Sequence, residues 1–428
     1  MKFASTRGQT PQVAFSTALL QGLAPDGGLY VPTDWPHFPS SGREDLAGLA
    51  ADVIGPFVEG DVLASELTAI ATEAFNFPAP LVSLTADHRL NVLELFHGPT
   101  AAFKDFGARF LAASLSRLRM GKTRPLKILV ATSGDTGGAV AAAFHRRPGI
   151  EVAVLFPKGL VSPTQERQLT CWGDNVQSFA VRGTFDDCQR LVKEAFLDAA
   201  LRERAELSSA NSINLGRLLP QMVYYVAASL EVWRRDGEAA SFIIPSGNLG
   251  NALACIWARR VGLPIADIVL AHNVNRTVPD YFATGAWQPR DSHATLASAM
   301  DVGNPSNFER LKDLFPDISS MRQSLSTAVV DDEAIRARIR AGFNEYGQVW
   351  CPHTAVAAEA YARLPREKRD RGRWILVATA HPAKFREIVE PATGHPVSLP
   401  QSLAELFARP VSCSEIAAEL AALRTRLI

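Results

Sequence analysis

The chain reads as an α/β protein built on open parallel sheets, and three observations point there. Short, near-continuous apolar runs at residues 126–131, 241–245 and 374–378 read as strands buried on both faces. The first two end in Gly/Ser/Thr/Asn turns, at 132–138 and 246–251, that pass directly into helical patterns. Further apolar runs at 152–156, 176–181 and 265–271 continue the alternation of strand and helix. A length of 428 residues exceeds what one simple core holds, so two or three domains or subdomains are expected.

Residues 1–85 carry a turn-rich loop at 22–32 and helical patterns at 46–54 and 63–75, which predict a mostly helical N-terminal region. Residues 86–220 hold the turn at 132–138 and form the smaller α/β domain. Residues 221–428 hold the loop at 246–251 and the strand at 374–378 and form the larger one. Ser414, a good cap residue, predicts a C-terminal amphipathic helix from that point.

Lys+Arg and Asp+Glu are both 44, so no basic field attracts nucleic acid or an anionic membrane, and an acidic ligand must be held locally. The five cysteines are an odd number, widely spaced, with no CxxC pair. They are expected to be reduced, buried and inert, with neither a disulfide framework nor a metal site. The first residues lack the apolar core of a signal peptide, and a cytoplasmic protein is expected.

The stretch from Phe96 to Gly107 carries the sharpest chemical signal. Gly98-Pro99 ends the preceding apolar run, Thr100 is placed to cap, and Phe103, Phe106, Phe110, Leu111 and Leu115 recur at helical spacing. Lys104 therefore falls in the first turn of a helix. The positive end of the helix dipole and the phenylalanines both disfavour an ammonium there, which frees the amine as a nucleophile and suits a Schiff-base lysine. The same residues also suit a surface lysine on an ordinary amphipathic helix.

Two turns extend the picture. Thr132-Ser133-Gly134-Asp135-Thr136 sits at the carboxyl end of its strand, where open α/β sheets bind ligands, but has neither P-loop nor GxGxxG spacing. Ser246-Gly247-Asn248-Leu249-Gly250-Asn251 lies between a strand and a helix, so its N–H groups can converge on a phosphate. Each also has a plain reading as a strand–helix turn. His97 beside Gly98-Pro99 and His381 before Pro382 read as structural hydrogen-bonding groups, and Asp105 points away from its neighbour Lys104.

In order along the chain, these motifs resemble the threonine synthase family, pyridoxal-phosphate enzymes of fold type II with the tryptophan synthase β-like fold. The resemblance rests on residues 5–8, 22–32, 96–106, 131–138, 156–159 with Ser162-Pro163, 183–189, 211–217, 245–251, 306–310 and 379–385. Cys351 and Leu215 depart from the residues common at their places in that family.

The resemblance implies that Lys104 is the lysine that carries pyridoxal 5′-phosphate and moves protons at the substrate. It implies that Ser246, Gly247, Asn248, Leu249, Gly250 and Asn251 hold the cofactor phosphate and that Thr379 meets the pyridine nitrogen. The loop with Thr132, Ser133, Asp135 and Thr136 takes the substrate carboxylate, and Lys158, Asn211, Ser212 and Arg217 are candidates for the substrate phosphate. The implied reaction, that of a carbon–oxygen lyase, converts O-phospho-L-homoserine and water to L-threonine and phosphate. Length and type resemble the monomeric branch, so a monomer or weak homodimer is expected. The alternatives are a related phospholyase that releases 2-oxobutanoate, ammonia and phosphate, and an inert relative kept for binding.

Overall fold

The computed structural model describes residues 1–38 and 42–427. The N-terminal segment contributes an antiparallel pair, β1 (Phe3–Ser5) and β2 (Tyr30–Pro32), and the helices Phe15–Gln21, Leu46–Val58 and Leu67–Ala74. The remaining strands are β3 (Leu81–Leu84), β4 (Asp87–Glu94), β5 (Leu126–Ala131), β6 (Ile150–Pro157), β7 (Val176–Arg182), β8 (Glu206–Ser209), β9 (Ala240–Pro245), β10 (Ile265–His272), β11 (Ser326–Val329), β12 (Arg373–Ala378) and β13 (Ser414–Ala417). They form a six-stranded sheet in the order β11-β10-β9-β12-β4-β3 and a five-stranded sheet in the order β13-β7-β6-β5-β8. Every pairing in both is parallel except β3 with β4.

Every residue of β9 is buried, as expected of an apolar run flanked by strands on both sides and covered on both faces. One core runs through the six-stranded sheet, the N-terminal helices and the near face of the smaller sheet. A second, with Leu129, Leu155, Phe179, Leu191 and Leu423, lies under the far face of the smaller sheet.

Sheet membership does not follow chain order. β3 and β4 lie at one edge of the larger sheet, so the division expected at 85/86 falls inside an antiparallel pair. β13 and the helix Leu420–Leu427 join the smaller sheet, across the division expected at 220/221. The C-terminal expectation also needs correcting. Ser414 opens a strand, and the helix begins six residues later; Glu415 is paired with Lys158 and Arg182, which lie at the ends of β6 and β7. The tertiary ladder with β7 overrides the local cap preference.

Candidate active site

Lys104 is the first residue of the helix Lys104–Arg119, which is where the spacing of its phenylalanines puts it. Its place is fixed by the end of β12. The Phe103 N–H donates to the Thr379 carbonyl (2.9 Å), the His381 N–H donates to the Ala101 carbonyl (3.0 Å), and Ala102 bridges Ala380. Thr100 does not cap the helix, contrary to expectation. Its N–H and hydroxyl both bond the Asp105 carboxylate (2.8 and 2.7 Å), because the chain turns through Ala101 in the left-handed region (φ 54°). Asp105 thus holds the turn and leaves Lys104 alone. Burial lowers the Lys104 amine to about 8; Asp135 pulls it back up, and Arg217 and Lys384 push it further down. The free, nucleophilic amine therefore becomes accessible about two pH units lower than for an ordinary lysine.

The second component follows β9. The Ser246 N–H donates to the Ala271 carbonyl (2.8 Å), and Asn248 donates to Ser212 Oγ (2.7 Å) and accepts from the Ser306 N–H (2.6 Å). Leu249 then takes a left-handed conformation (φ 62°) and starts the helix Gly250–Arg260, eleven residues long, whose N-terminal N–H groups and dipole favour a phosphate. Gly247 is required by packing: a Cβ there would lie 2.8 Å from Met300 Cα and 3.1 Å from the Ala299 carbonyl. Asn251 accepts from Tyr224 and Tyr225 (2.6 and 2.8 Å), while its buried Nδ2 has no partner. Leu376 faces Ile243 across β12 and β9, so extending the register sets Thr379 beside Ser246. The amine, Thr379 and the glycine loop therefore share one sheet end. An orphaned amide donor, a backbone loop with no room for a side chain, a helix N-terminus and a buried lysine whose burial disfavours the ammonium form together fit pyridoxal phosphate.

The third component is the turn after β5. Thr132 Oγ1 accepts from the Gly134 and Gly137 N–H groups (3.0 and 2.9 Å), and Gly134 (φ 138°) has no room for a side chain beside Gln165. Ser133 and Thr136 are half-buried. Asp135 is buried and engaged: Lys384 Nζ lies 2.8 Å from Oδ1 and Gln165 Nε2 donates to it at 3.0 Å. Burial alone would raise this carboxyl; Lys384, then Lys104, outweigh it and hold it well below the usual range.

The candidates for the substrate phosphate divide. Arg217 is buried, bonds the Ala210 carbonyl and has an unpartnered Nε. Its charge reaches Lys104. Ser212 accepts from Asn248, and Asn211 donates to the Ala131 carbonyl (2.9 Å), which ties this loop to the end of β5. Lys158 is exposed and paired with Glu415 (2.5 Å).

His97 pairs with Glu94 (2.7 Å) and His381 accepts from the Ala383 N–H (3.1 Å), so both serve structure as expected. Four cysteines are buried, but Cys413 is exposed, against the expectation for all five. Among the described residues no cluster of His, Cys, Asp or Glu could hold a metal ion, and no helix is long and apolar enough to cross a membrane. Three residues with a part in the site were not assigned from sequence. Lys384 and Gln165 contact Asp135, and His353 accepts from the Ala299 N–H (3.1 Å) behind Gly247. Arg310 is buried and donates to Asn307, Ile213 and Tyr30, while Thr6 donates to Glu309 (2.6 Å). The motifs at 5–8, 211–217 and 306–310 therefore meet.

Comparison with known proteins identifies the family to which the chain belongs. Residues 74–380 match the family model described as pyridoxal-phosphate dependent enzyme, residues 2–75 that of the threonine synthase N terminus and residues 354–426 that of the threonine synthase C-terminal region. The threonine synthase of Escherichia coli K12 is 40% identical over 396 residues, covering 91% of this chain and 90% of that protein. The crystal structure of threonine synthase from Escherichia coli superposes with a TM-score of 0.89 at 38% identity, covering 100% of this chain and 99% of that one. The pyridoxal-phosphate-bound threonine synthase of Brucella melitensis gives 0.90 at 35%, with 100% and 98% covered. Maize serine racemase, at 17% identity and a TM-score of 0.53, shares the fold.

Proposed function

The chain belongs to the threonine synthase family of pyridoxal-phosphate enzymes, which convert O-phospho-L-homoserine and water to L-threonine and phosphate, and from that premise we propose how its own residues divide the work. Lys104 is the covalent anchor of the cofactor and, in its free form, moves protons at the substrate Cα and Cβ through Nζ. When bound, pyridoxal phosphate supplies the electron sink that makes those protons labile. Residues 246–251 hold its phosphate, with the free Asn251 Nδ2 as one donor, and Thr379 offers a neutral hydroxyl to the ring nitrogen.

Thr132, Ser133 and Thr136 receive the substrate carboxylate, while Asp135 is committed to Lys384 and braces the turn from behind. Arg217, Ser212 and Asn211 take the substrate phosphate, with Lys158 as an outer charge. Lys104 is placed to return the proton after water adds at Cβ. We place the protein in the cytoplasm, where its free cysteines stay reduced, as a monomer or weak homodimer.

The observation that carries this assignment is the buried Lys104 amine, lowered by burial to about 8, at the same sheet end as the glycine loop. Borohydride fixation of bound cofactor followed by peptide mapping tests it. The label is expected on Lys104 and absent from Lys104→Ala; a label on any other lysine refutes the assignment.

A further inference from the structure

Lys384 follows β12 in the short turn Pro382–Phe385 and has no exposed surface. Its ammonium lies 2.8 Å from Asp135 Oδ1 and 2.9 Å from the Thr100 carbonyl, so it joins the last strand of the larger sheet to the ligand turn of the smaller one and to the turn that leads into Lys104. Gln165 completes the shell around Asp135 (3.0 Å). The charge of Asp135 is felt at two lysines, and the hydrogen-bonded position belongs to Lys384. A buried charge is tolerated when paired, so the lysine without the carboxylate is the one that sheds its proton.

The other charged and titratable groups around this pair do not supply a substitute. Arg217, on the helix Leu215–Leu218, repels an ammonium at Lys104, and the Asp105 carboxylate is turned onto Thr100. On the helix Pro352–Ala362, His353 is driven by burial to the neutral form, and burial keeps the neighbouring Cys351 thiol protonated.

We propose that Lys384 is a positioning residue for the reaction: as the standing counter-ion of Asp135, it leaves the Lys104 amine without an anionic partner. The inference rests on the reading of Lys104 as the anchor lysine. With the charge of Lys384 removed, Asp135 turns to Lys104 as the nearest cation, and the ion pair holds the proton on Nζ.

The test is acetylation of the full-length apoenzyme by limiting acetic anhydride between about pH 6 and about pH 11, with the extent at Lys104 read by peptide mass mapping. Lys384→Met is expected to move the Lys104 midpoint up by about one to three pH units, the range for an opposite charge at close quarters. Asp135→Asn is expected to move it down, and the double variant to lose the rise. A purely structural role for Lys384 leaves the midpoint where it is, so an unchanged midpoint in folded Lys384→Met overturns the proposal. Where Lys384→Met does not fold by circular dichroism, Lys384→Gln is read in the same way: a raised midpoint supports the proposal, and an unchanged or lowered one overturns it. Failure of the anchor reading is seen separately, as borohydride-fixed cofactor on another residue.

Discussion

Replacing Lys104 with methionine should make the apoenzyme more stable, and the size of the gain follows from the amine's surroundings. Burial holds Lys104 at about 8 against an ordinary 10.5, so below pH 8 the folded chain either buries an ammonium or gives up a proton that the unfolded chain keeps. The difference corresponds to at most about 3 kcal/mol near pH 7. Methionine keeps most of the side-chain volume and carries no charge, so the cavity cost is small. The sign follows from linkage. For a lysine depressed in the folded state the penalty is complete below about 8 and disappears as pH rises through 10.5. The advantage of Lys104→Met should therefore fall from about 1–3 kcal/mol near pH 7 to about 1 kcal/mol or less near pH 10. Urea unfolding of both apoenzymes, compared by midpoint at the two pH values, measures it. No gain at pH 7, or a gain that grows with pH, would refute the claim that the fold disfavours the ammonium form of Lys104 at a cost in stability.

Three other outcomes are expected. Gly247→Ala places a methyl 2.8 Å from Met300 Cα and 3.1 Å from the Ala299 carbonyl, both backbone atoms, so the loop must shift. Cofactor affinity, titrated by absorbance, should fall by about 1–3 kcal/mol, and unchanged affinity would exclude this loop from the phosphate site. Arg217→Gln should raise the KM for O-phospho-L-homoserine at least about tenfold, the loss expected when a charged hydrogen bond to an anion goes; an unchanged KM would remove Arg217 from the phosphate site. With a thiol reagent under native conditions, Cys413 should react fast and the four buried cysteines slowly. Cys413→Ser should abolish the fast phase without changing turnover, and a remaining fast phase would show that a buried thiol is accessible.

Much of this site was legible because its signals are local. The strands at 126–131, 241–245 and 374–378 are buried on both faces and announce themselves as apolar runs, and the turns after the first two carry the glycines that the backbone requires. Lys104 announces itself through the phenylalanine spacing of its helix. What sequence reading missed depends on pairing between distant residues. Lys384 meets Asp135 from 249 positions away, and nothing in either neighbourhood marks the other as its partner. β13 is a short, partly exposed edge strand whose ladder with β7 is visible only in three dimensions, so the cap preference of Ser414 was the stronger local signal. Thr100 departs from its cap preference for a related reason. Its hydroxyl answers Asp105 across a turn that the end of β12 imposes.

The central claim is that these residues hydrate the substrate and do not merely eliminate its phosphate. The most direct test is product analysis of the purified, pyridoxal-phosphate-loaded protein with O-phospho-L-homoserine, beside Lys104→Ala. Threonine and phosphate in equal amounts, both lost in the variant, are the predicted result. Accumulation of 2-oxobutanoate and ammonia with little threonine would contradict it.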